Sequence, residues 1–311
     1  MNGSGEPLIR ARALAKQFGH LVAVDGIDFE VAPGEAFGFL GPNGAGKTST
    51  MRMIGCVSPP TSGELEIFGL NPQRDGRTIR GRIGVVPQQD QLDNELTVLE
   101  NLIIYARYFD ISRTEARDRA HELLEFVQLT ERAESTVEPL SGGQKRRVSI
   151  ARSLISEPEM LILDEPTTGL DPQARHVLWD RLYQLKEQGR TLVLTTHYMD
   201  EAEQLCDRLV VMDGGKIVAE GSPRDLIAQY ATKEVLEMRF GRGRNSEYTE
   251  HAERVGDRVE VLPDRLLVYV ADGEAALSEL RARDVIPDSA LVRRSSLEDV
   301  FLRLTGRTLV D

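Results

Sequence analysis

Hydrophobic residues in the first two thirds of the chain occur in short runs separated by longer amphipathic stretches. The run at 36–40 (AFGFL) leads into a glycine-rich segment and then into the apolar helical stretch at 51–54. Two later runs, 160–163 and 191–196, each follow a predicted helix. Apolar runs of this length are typical of buried strands in a parallel sheet. The pattern therefore predicts an α/β fold with a strand, a glycine loop and a helix near its beginning.

A mainly helical segment is predicted at about 90–155, inserted between the strands of this sheet. Ser112 and Glu115 have the spacing of a helix capping box, in which each side chain binds the backbone of the other residue. The apolar residues that follow recur on one helical face: Ala116, Ala120, Leu123, Leu124 and Val127. This segment is predicted to form a helical subdomain.

The pattern changes at about residue 233, where LEMRF and RLLVYV indicate strands with period-two alternation. A helix is predicted at 273–284, and a final amphipathic helix is predicted from the spacing of Leu297, Val300, Phe301 and Leu304. Residues 1–232 are thus interpreted as one domain and residues 233–311 as a small α+β accessory domain. This accessory domain either stabilises a dimer or regulates it, and the sequence favours neither role.

Composition agrees with an ordinary globular protein of 311 residues, with 41% hydrophobic and 28% charged residues. The net charge of −12 argues against binding nucleic acid or an anionic membrane over the whole surface. Cys56 and Cys206 form neither a disulfide framework nor a zinc motif, which fits a reducing compartment. The N-terminus does not have the pattern of a secretory signal, and no apolar stretch approaches the ~18 residues that cross a bilayer. We therefore expect another polypeptide to carry any membrane step.

The glycine-rich segment carries the strongest chemical signal. Gly41, Gly46, Lys47 and Thr48 match the pattern G-x-x-x-x-G-K-[ST]. Glycines allow backbone N–H groups to wrap phosphates at a helix N-terminus, while the lysine reaches the β and γ phosphates and the hydroxyl binds Mg²⁺. A surface turn is the alternative. The predicted strand before the loop and helix after it favour a site for a nucleoside triphosphate.

Two carboxylates follow the run at 160–163. Asp164 stands at the carboxyl end of a predicted buried strand, where α/β sheets present ligand-binding groups, and suits a Mg²⁺ contact directly or through water. Glu165 is then placed to orient or deprotonate an attacking water. A solvated acidic turn is the alternative for the pair.

A second candidate anion site lies at the start of another predicted helix, at Ser141, Gly142, Gly143 and Gln144. This pattern alone is usually a helix cap.

Six segments occur in an order and at spacings that resemble the ATP-binding cassette (ABC) ATPases over roughly residues 8–230. They are GPNGAGKTS, GVVPQQ, SGGQKRR, LILDEP, TTGLDP and LTTHYMDEAE. Two further features, LDNELTVLENL with YARYF and the C-terminal SSLEDVFLRLTGR, resemble the ABC-2 exporter branch. That branch includes ATPases for nodulation-factor export and daunorubicin-type drug export. The resemblance implies a P-loop nucleotide hydrolase with an inserted helical subdomain.

The resemblance also implies roles for individual residues. Catalysis would use Glu165 as base, His197 as the γ-phosphate sensor, and Lys47 and Gln88. Mg²⁺ would be bound by Thr48, Gln88 and Asp164, with Asp171 communicating across a dimer. The residues expected to bind ATP are Phe18, Gly41, Pro42, Asn43, Gly44, Ala45, Gly46, Lys47, Thr48, Ser49, Ser141, Gly142, Gly143, Gln144 and Asp171.

Three of these residues have alternatives that the sequence leaves open. Gln89 adjoins Gln88, so a one-residue shift is an alternative, although Gln88 follows Pro87 as in the family. Phe18 either stacks on adenine or belongs to the core, and His197 either senses phosphate or caps a strand end. The basic run 145–147 is interpreted as a helix face and not as a nucleic-acid patch.

The resemblance implies an ATP-hydrolysing subunit of an exporter. It would pair with a second ATPase subunit, a homodimer being the expected assembly, and work with an integral-membrane ABC-2 type permease at the cytoplasmic face of the membrane. Two other functions compete: a soluble ABC ATPase acting on the ribosome or DNA, and a non-hydrolysing regulatory cassette. One cassette, an acidic balance and the lack of a heptad insert disfavour the first, and the presence of all expected catalytic residue types disfavours the second.

Overall fold

The computed structural model describes residues 6–241 and 244–306 of the chain. It divides into two compact units, Met1–Glu220 and Gly221–Asp311. The domain boundary at 232/233 stays a prediction. The beginning of the first predicted domain (1–5) and the end of the second (307–311) lie outside the described residues. The latter includes Arg307 of the C-terminal SSLEDVFLRLTGR segment.

Strands and helices alternate through the first unit. Its strands are β1 (Ile9–Phe18), β2 (Leu21–Val31), β3 (Ala36–Leu40), β4 (Ser62–Ile67), β5 (Ile83–Val86), β6 (Met160–Asp164), β7 (Thr191–Thr196), β8 (Arg208–Asp213) and β9 (Lys216–Gly221). Its helices are α1 (Lys47–Ile54), α2 (Pro72–Arg80), α3 (Val98–Ala106), α4 (Arg113–Phe126), α5 (Gly142–Leu154), α6 (Pro172–Glu187) and α7 (Met199–Leu205).

The central sheet of this unit has the strand order β5-β6-β7-β3-β8-β9. The pairs from β5 to β8 are parallel, and β3, β6 and β7 are buried along their whole length. These three strands are the ones that the apolar runs predict. Their register pairs Leu40 with Thr196 and Asp164 with Thr195. The carboxyl ends of the three strands therefore meet at one edge of the sheet, where the glycine loop begins.

A second, antiparallel sheet with the order β2-β1-β4 packs on the same core. Phe29 from β2 contacts Phe37 and Phe39 from β3, with ring centroids 6.0 and 5.1 Å from the Phe29 ring. Such aromatic contacts bury large apolar areas between layers. One hydrophobic core thus joins the two sheets and α1.

Helices α3 to α5 lie between β5 and β6 in the chain and have a core of their own, as the sequence predicts. Ala116, Ala120 and Leu124 are fully buried there. The capping box predicted at Ser112 and Glu115 is only half formed. Ser112 Oγ accepts the Glu115 N–H at 3.3 Å, but the Glu115 carboxylate pairs with Arg119 at 2.6 Å. An ion pair one turn along the helix replaces the reciprocal bond.

The second unit contains a four-stranded antiparallel sheet with helices after its first and third strands. Its elements are α8 (Pro223–Tyr230), β10 (Glu234–Arg239), α9 (Thr249–Glu253), β11 (Arg258–Val261), β12 (Leu266–Val270), α10 (Gly273–Ala282), β13 (Ser289–Arg294) and α11 (Leu297–Thr305). The order β11-β12-β10-β13 with this β-α-β-β-α-β connectivity is the ferredoxin-like arrangement.

Strand β12 differs from the predicted alternation, because all five of its residues are buried. Leu266 and Val268 belong to the core that includes Leu280 of α10. Leu267 belongs to a second cluster with Leu302 of α11. Helices cover both faces of the strand, so neither set of side chains is polar. None of the helices in the described part of the chain combines the length and apolarity that crossing a membrane requires.

Candidate nucleotide site

The loop between β3 and α1 is shaped by two glycines that no larger residue replaces without displacement. Gly46 has φ 102°, and a Cβ there would lie 2.4 Å from the Ala23 carbonyl oxygen. A Cβ at Gly41 would lie 2.4 Å from the Met212 carbonyl oxygen. Within the described residues, no side chain caps α1, which begins at Lys47. The first N–H groups of this helix are therefore available to an anion.

Lys47 is 4% exposed and lies over its own loop. Its Nζ donates to the carbonyl oxygens of Gly41 at 2.6 Å and Pro42 at 3.0 Å, and it lies 3.9 Å from Oε1 of Glu165. Burial lowers the pKa of Lys47, and the Glu165 and Asp164 carboxylates oppose this shift. The ammonium group is thus held between the loop and an acidic side chain.

The end of β6 places Asp164 against α1 and β7. Its Oδ1 accepts from Thr195 Oγ1 at 2.6 Å and lies 3.3 Å from Thr48 Oγ1. The register of β6 against β7 puts Thr195 directly beside Asp164. A carboxylate and a hydroxyl, both oxygen donors, therefore converge where the glycine loop enters α1.

Glu165 has an unusual backbone and a fixed side chain. Its φ of 46° lies in the left-handed region, which is uncommon for residues other than glycine and occurs often at functional sites. The Glu165 N–H donates to Thr195 Oγ1 at 2.9 Å. Its Oε2 accepts from Gln88 Nε2 at 3.0 Å and from Thr168 Oγ1 at 3.1 Å. The carboxylate is thus directed toward the phosphate loop by groups from three segments.

His197 and Lys47 control the charge of this carboxylate. The His197 ring, whose Nδ1 lies 3.6 Å from Oε1, lowers the pKa of Glu165; burial opposes this, and Lys47 and Thr168 add to it. Glu165 is therefore ionised at neutral pH. His197 Nδ1 is itself buried and has no hydrogen-bond partner among the described residues. A buried ring nitrogen without a partner is suited to a ligand that supplies one.

A cleft of about 370 Å³ is lined by the loop and by Glu165. Phe18 also lines it, with 49% of its surface exposed. The lining residues are Phe18, Leu21, Val22, Ala23, Asn43, Gly44, Ala45, Gly46, Lys47, Thr48, Ser49, Gln88 and Glu165. Phe18 therefore lies on the surface, outside the core, and Gln88 lines this cleft whereas Gln89 does not.

The remaining predicted residues lie outside this cleft. Ser141 caps α5 and forms a complete capping box with Gln144, with bonds of 3.3 and 3.0 Å. Gly143 packs against α6, because a Cβ there would lie 2.8 Å from the Cβ of Ala174. Asp171 caps α6 by accepting the Ala174 N–H at 2.9 Å. The N-termini of α5 and α6 thus form a separate, exposed surface.

Two residues of the site are absent from the predicted set. Thr195 forms hydrogen bonds with both acidic residues. Its position within the apolar run 191–196 gives no sequence indication of this role. Arg146 lies on α5, in the basic run interpreted as a helix face, and it is buried with 4% of its surface exposed. Its guanidinium donates to the carbonyl oxygens of Asp164, Glu165, Pro166 and Pro87. The basic run 145–147 gives no sequence signal that its middle arginine is buried.

A strand, phosphate loop and helix, with an acidic pair at the end of a neighbouring parallel strand, define a P-loop nucleoside triphosphatase. The helical insertion formed by α3 to α5 agrees with the ABC ATPases within this class.

Comparison with known proteins agrees with this class. A family described as ABC transporter matches residues 24–168, and one described as the C-terminal domain of the nodulation factor export protein NodI matches residues 246–306. The "Nod factor export ATP-binding protein I" of Paraburkholderia xenovorans is 46% identical over 98% of this chain and 99% of its own length. The protein of the same name from Rhizobium sp. is 47% identical over 94% and 95%.

Solved structures give the same result for the fold. A dimeric ATP-binding cassette in a post-hydrolysis state, bound to ADP and Pi, is 31% identical and covers 69% of this chain with a TM-score of 0.64. The match covers 98% of that cassette. A second structure, cbiO1 from Clostridium perfringens, is 29% identical, covers 72% of this chain and 92% of its own, and has a TM-score of 0.67.

The chain belongs to the ABC transporter family, among the ATP-binding proteins similar to those of Nod factor export. The predicted P-loop fold is confirmed. The chain is an ATP-binding subunit of an exporter, and its ATP hydrolysis is coupled to transport.

Proposed function

We propose that this subunit hydrolyses ATP with Glu165 as the general base. The observation that carries the proposal is the fixed orientation of this carboxylate, which accepts bonds from Gln88 and Thr168 and faces Lys47 across 3.9 Å. Its lowered pKa keeps the carboxylate ionised at neutral pH, which is the form that accepts a proton from water. Lys47 exchanges its two loop carbonyls for the β and γ phosphates, and His197, which lies beside Glu165, senses the γ-phosphate.

The oxygen donors at the end of β6 fit Mg²⁺. The Thr48 hydroxyl and Asp164 carboxylate lie 3.3 Å apart, and hard oxygen ligands of this kind are the ones that Mg²⁺ takes. Gln88 completes the proposed set, because its amide nitrogen is engaged with Glu165 and its amide oxygen is left to bind metal or water. When bound, Mg²⁺ neutralises phosphate charge. Phe18, which lines the cleft and is half-exposed, offers a ring face to the adenine.

Two copies of the chain form the working unit. Ser141 and Gly142 are exposed at the start of α5 and lie outside the cleft, so this helix N-terminus is accessible to the γ-phosphate held by a second copy. Gly143, Gln144 and Asp171 lie on the same surface. The solved cassette bound to ADP and Pi is described as dimeric, which supports this assembly. ATP binding closes the dimer, and hydrolysis opens it.

The partner in the membrane is proposed to be an ABC-2 type permease, which places the subunit at the cytoplasmic face of the membrane. A cleft of about 830 Å³ between α2 and the helical insertion is suited to receive a permease segment. Val57 and Tyr108 line it with 72% and 79% of their surfaces exposed, and Arg77 and Arg80 add positive charge. Gln91 lines this cleft, whereas Leu92 packs into the helical core. The similarity to exporter subunits disfavours an action on the ribosome or DNA. Because these relatives are named for Nod factor export, a Nod factor is the first transported substrate to assay.

Replacement of Glu165 by glutamine tests the proposal. Glu165→Gln keeps the shape and the hydrogen bonds but removes the base, so we expect turnover to fall by about a hundredfold or more. ATP-driven dimerisation, followed by light scattering, should persist. Glu159→Gln is the matched control, because Glu159 pairs with Arg82 away from the cleft at 2.6 Å. Hydrolysis at the wild-type rate in Glu165→Gln would show that another group is the base.

A further inference from the structure

The guanidinium of Arg146 lies at the meeting point of three segments that carry the site. Nε donates to the Pro166 carbonyl oxygen at 2.8 Å, and Nη2 donates to those of Asp164 and Glu165 at 2.9 and 3.1 Å. Nη1 donates to the carbonyl oxygen of Pro87, the residue before Gln88. One buried side chain of α5 therefore binds the turn after β6 and the segment after β5.

These bonds fix the backbone around the base. The Glu165 carbonyl oxygen is held by Arg146, and the Glu165 N–H is held from the other side by Thr195. Because φ at Glu165 is 46°, its backbone is in a conformation that persists only when surrounding contacts impose it. Arg146 supplies such a contact on the C-terminal side.

The charge of Arg146 is matched to this position. Asp90 Oδ1 lies 3.7 Å from Nη1 and also accepts a 2.9 Å bond from Ser149. Burying a cation is costly unless it is paired and its N–H groups are bonded, and here carbonyl oxygens and one carboxylate provide both. The planar fork of arginine donates in several directions at once, which a lysine ammonium does less well.

We propose that Arg146 is a positioning residue for hydrolysis. Its hydrogen bonds hold Glu165 and the segment before Gln88 against α5, the helix whose N-terminus Ser141 caps. A displacement of this N-terminus then reaches the base of the same subunit through one side chain. The inference rests on the proposed role of Glu165 as base, and it assigns the coupling between α5 and that base to Arg146.

The neighbouring Arg147 provides a matched control. Its Nη1 donates to the carbonyl oxygens of Val127 and Gln128 at 2.8 and 3.3 Å, at the end of α4 and away from the base. Arg146→Met and Arg147→Met thus remove the same charge from the same helix. The first releases the turn after β6, and the second leaves it in place.

The test compares these variants in the full chain by steady-state ATP hydrolysis and by binding of a non-hydrolysable ATP analogue. In Arg146→Met, we expect kcat to fall by about tenfold or more, a loss of ~1.4 kcal/mol in transition-state stabilisation, with analogue affinity within about threefold of wild type. Arg146→Lys should have an intermediate kcat, because it retains the charge and fewer bonds. Arg147→Met should keep kcat within about twofold. Adding Arg146→Met to Glu165→Gln should reduce the residual rate by less than about twofold, because both changes act through the same carboxylate.

Several results would overturn the inference. These are an unchanged kcat in Arg146→Met, an equal fall in Arg147→Met, or a loss of analogue affinity as large as the loss of kcat. If Arg146→Met does not fold, a wild-type kcat in Arg146→Lys also overturns it. Normal turnover in Arg146→Met with none in Glu165→Gln rejects this inference alone and leaves the base in place. Wild-type hydrolysis in Glu165→Gln rejects both.

Discussion

Replacing Thr195 by valine should weaken the fold at the point where the two acidic residues meet. Thr195 is fully buried and makes two bonds there: it accepts the Glu165 N–H at 2.9 Å and donates to Asp164 at 2.6 Å. Valine preserves the shape of the side chain and removes both bonds. Any loss of stability therefore reports on hydrogen bonding and not on packing.

The expected magnitude follows from these two bonds. A buried N–H left without a partner costs about 1–3 kcal/mol, and losing a bond to a charged acceptor costs about 1.5–3 kcal/mol. The extra buried methyl of valine returns roughly 1 kcal/mol. Thr195→Val should therefore lower the free energy of unfolding by about 1.5–5 kcal/mol.

Urea unfolding of the full chain, followed by circular dichroism, measures this change through the shift of the midpoint. Thr195→Ser is the control, because serine keeps the hydroxyl and deletes only a methyl group, at a cost of about 1 kcal/mol. If the valine variant is as stable as the serine variant, the two bonds do not stabilise the site and the reasoning fails.

Two further predictions concern the base and the permease. In the free protein, carbon-detected NMR should find the pKa of Glu165 below its ordinary value, and this pKa should rise in His197→Ala. The pKa of Glu159, which Arg82 lowers, is the control and should not change in this variant. An unchanged Glu165 pKa in His197→Ala would contradict the assigned cause. Because the folded-state pKa is depressed, Glu165 stabilises the fold above its unfolded-state pKa, and this contribution is lost as the pH falls through the folded-state value. Tyr108→Ala should weaken association with the permease by about tenfold or more while leaving basal hydrolysis unchanged, as expected for an exposed aromatic anchor. Tyr183→Ala, which truncates a half-exposed tyrosine on α6, is its control, and equal losses in both variants would argue against the cleft as the docking surface.

The parts of the fold that the sequence predicts share one physical cause. Strands β3, β6 and β7 are buried on both faces, so each leaves a continuous apolar run in the sequence. The glycine loop is also predictable from the sequence, because close backbone contacts at Gly41 and Gly46 leave no room for a side chain. The phosphate loop and the acidic pair can therefore be located from the sequence alone.

The antiparallel sheet is not predicted by the sequence pattern, because β1 has an irregular register. Ala13 has φ 45°, and the pairing with β2 shifts at several points between Ala11 and Gln17. These irregularities break the period-two alternation that identifies a half-buried strand.

Thr195 and Arg146 escape prediction for a different reason. Each acts through partners that are distant in sequence: 30 and 31 residues separate Thr195 from Glu165 and Asp164, and 59 residues separate Arg146 from Pro87. Strand register and helix packing create these contacts, and a local sequence pattern predicts neither of them. The residue types alone indicate a strand interior for Thr195 and a helix face for Arg146.

The left-handed backbone of Glu165 has a consequence for the genetics of this subunit. Glycine, asparagine and aspartate adopt this conformation more readily than glutamate does, so several substitutions that remove the proposed base also relax the backbone. Such inactive chains would fold, pair with active ones and occupy the permease. Alleles altered at Glu165 are therefore expected to be dominant over the wild type, because each mixed dimer contains one site that closes on ATP without hydrolysing it.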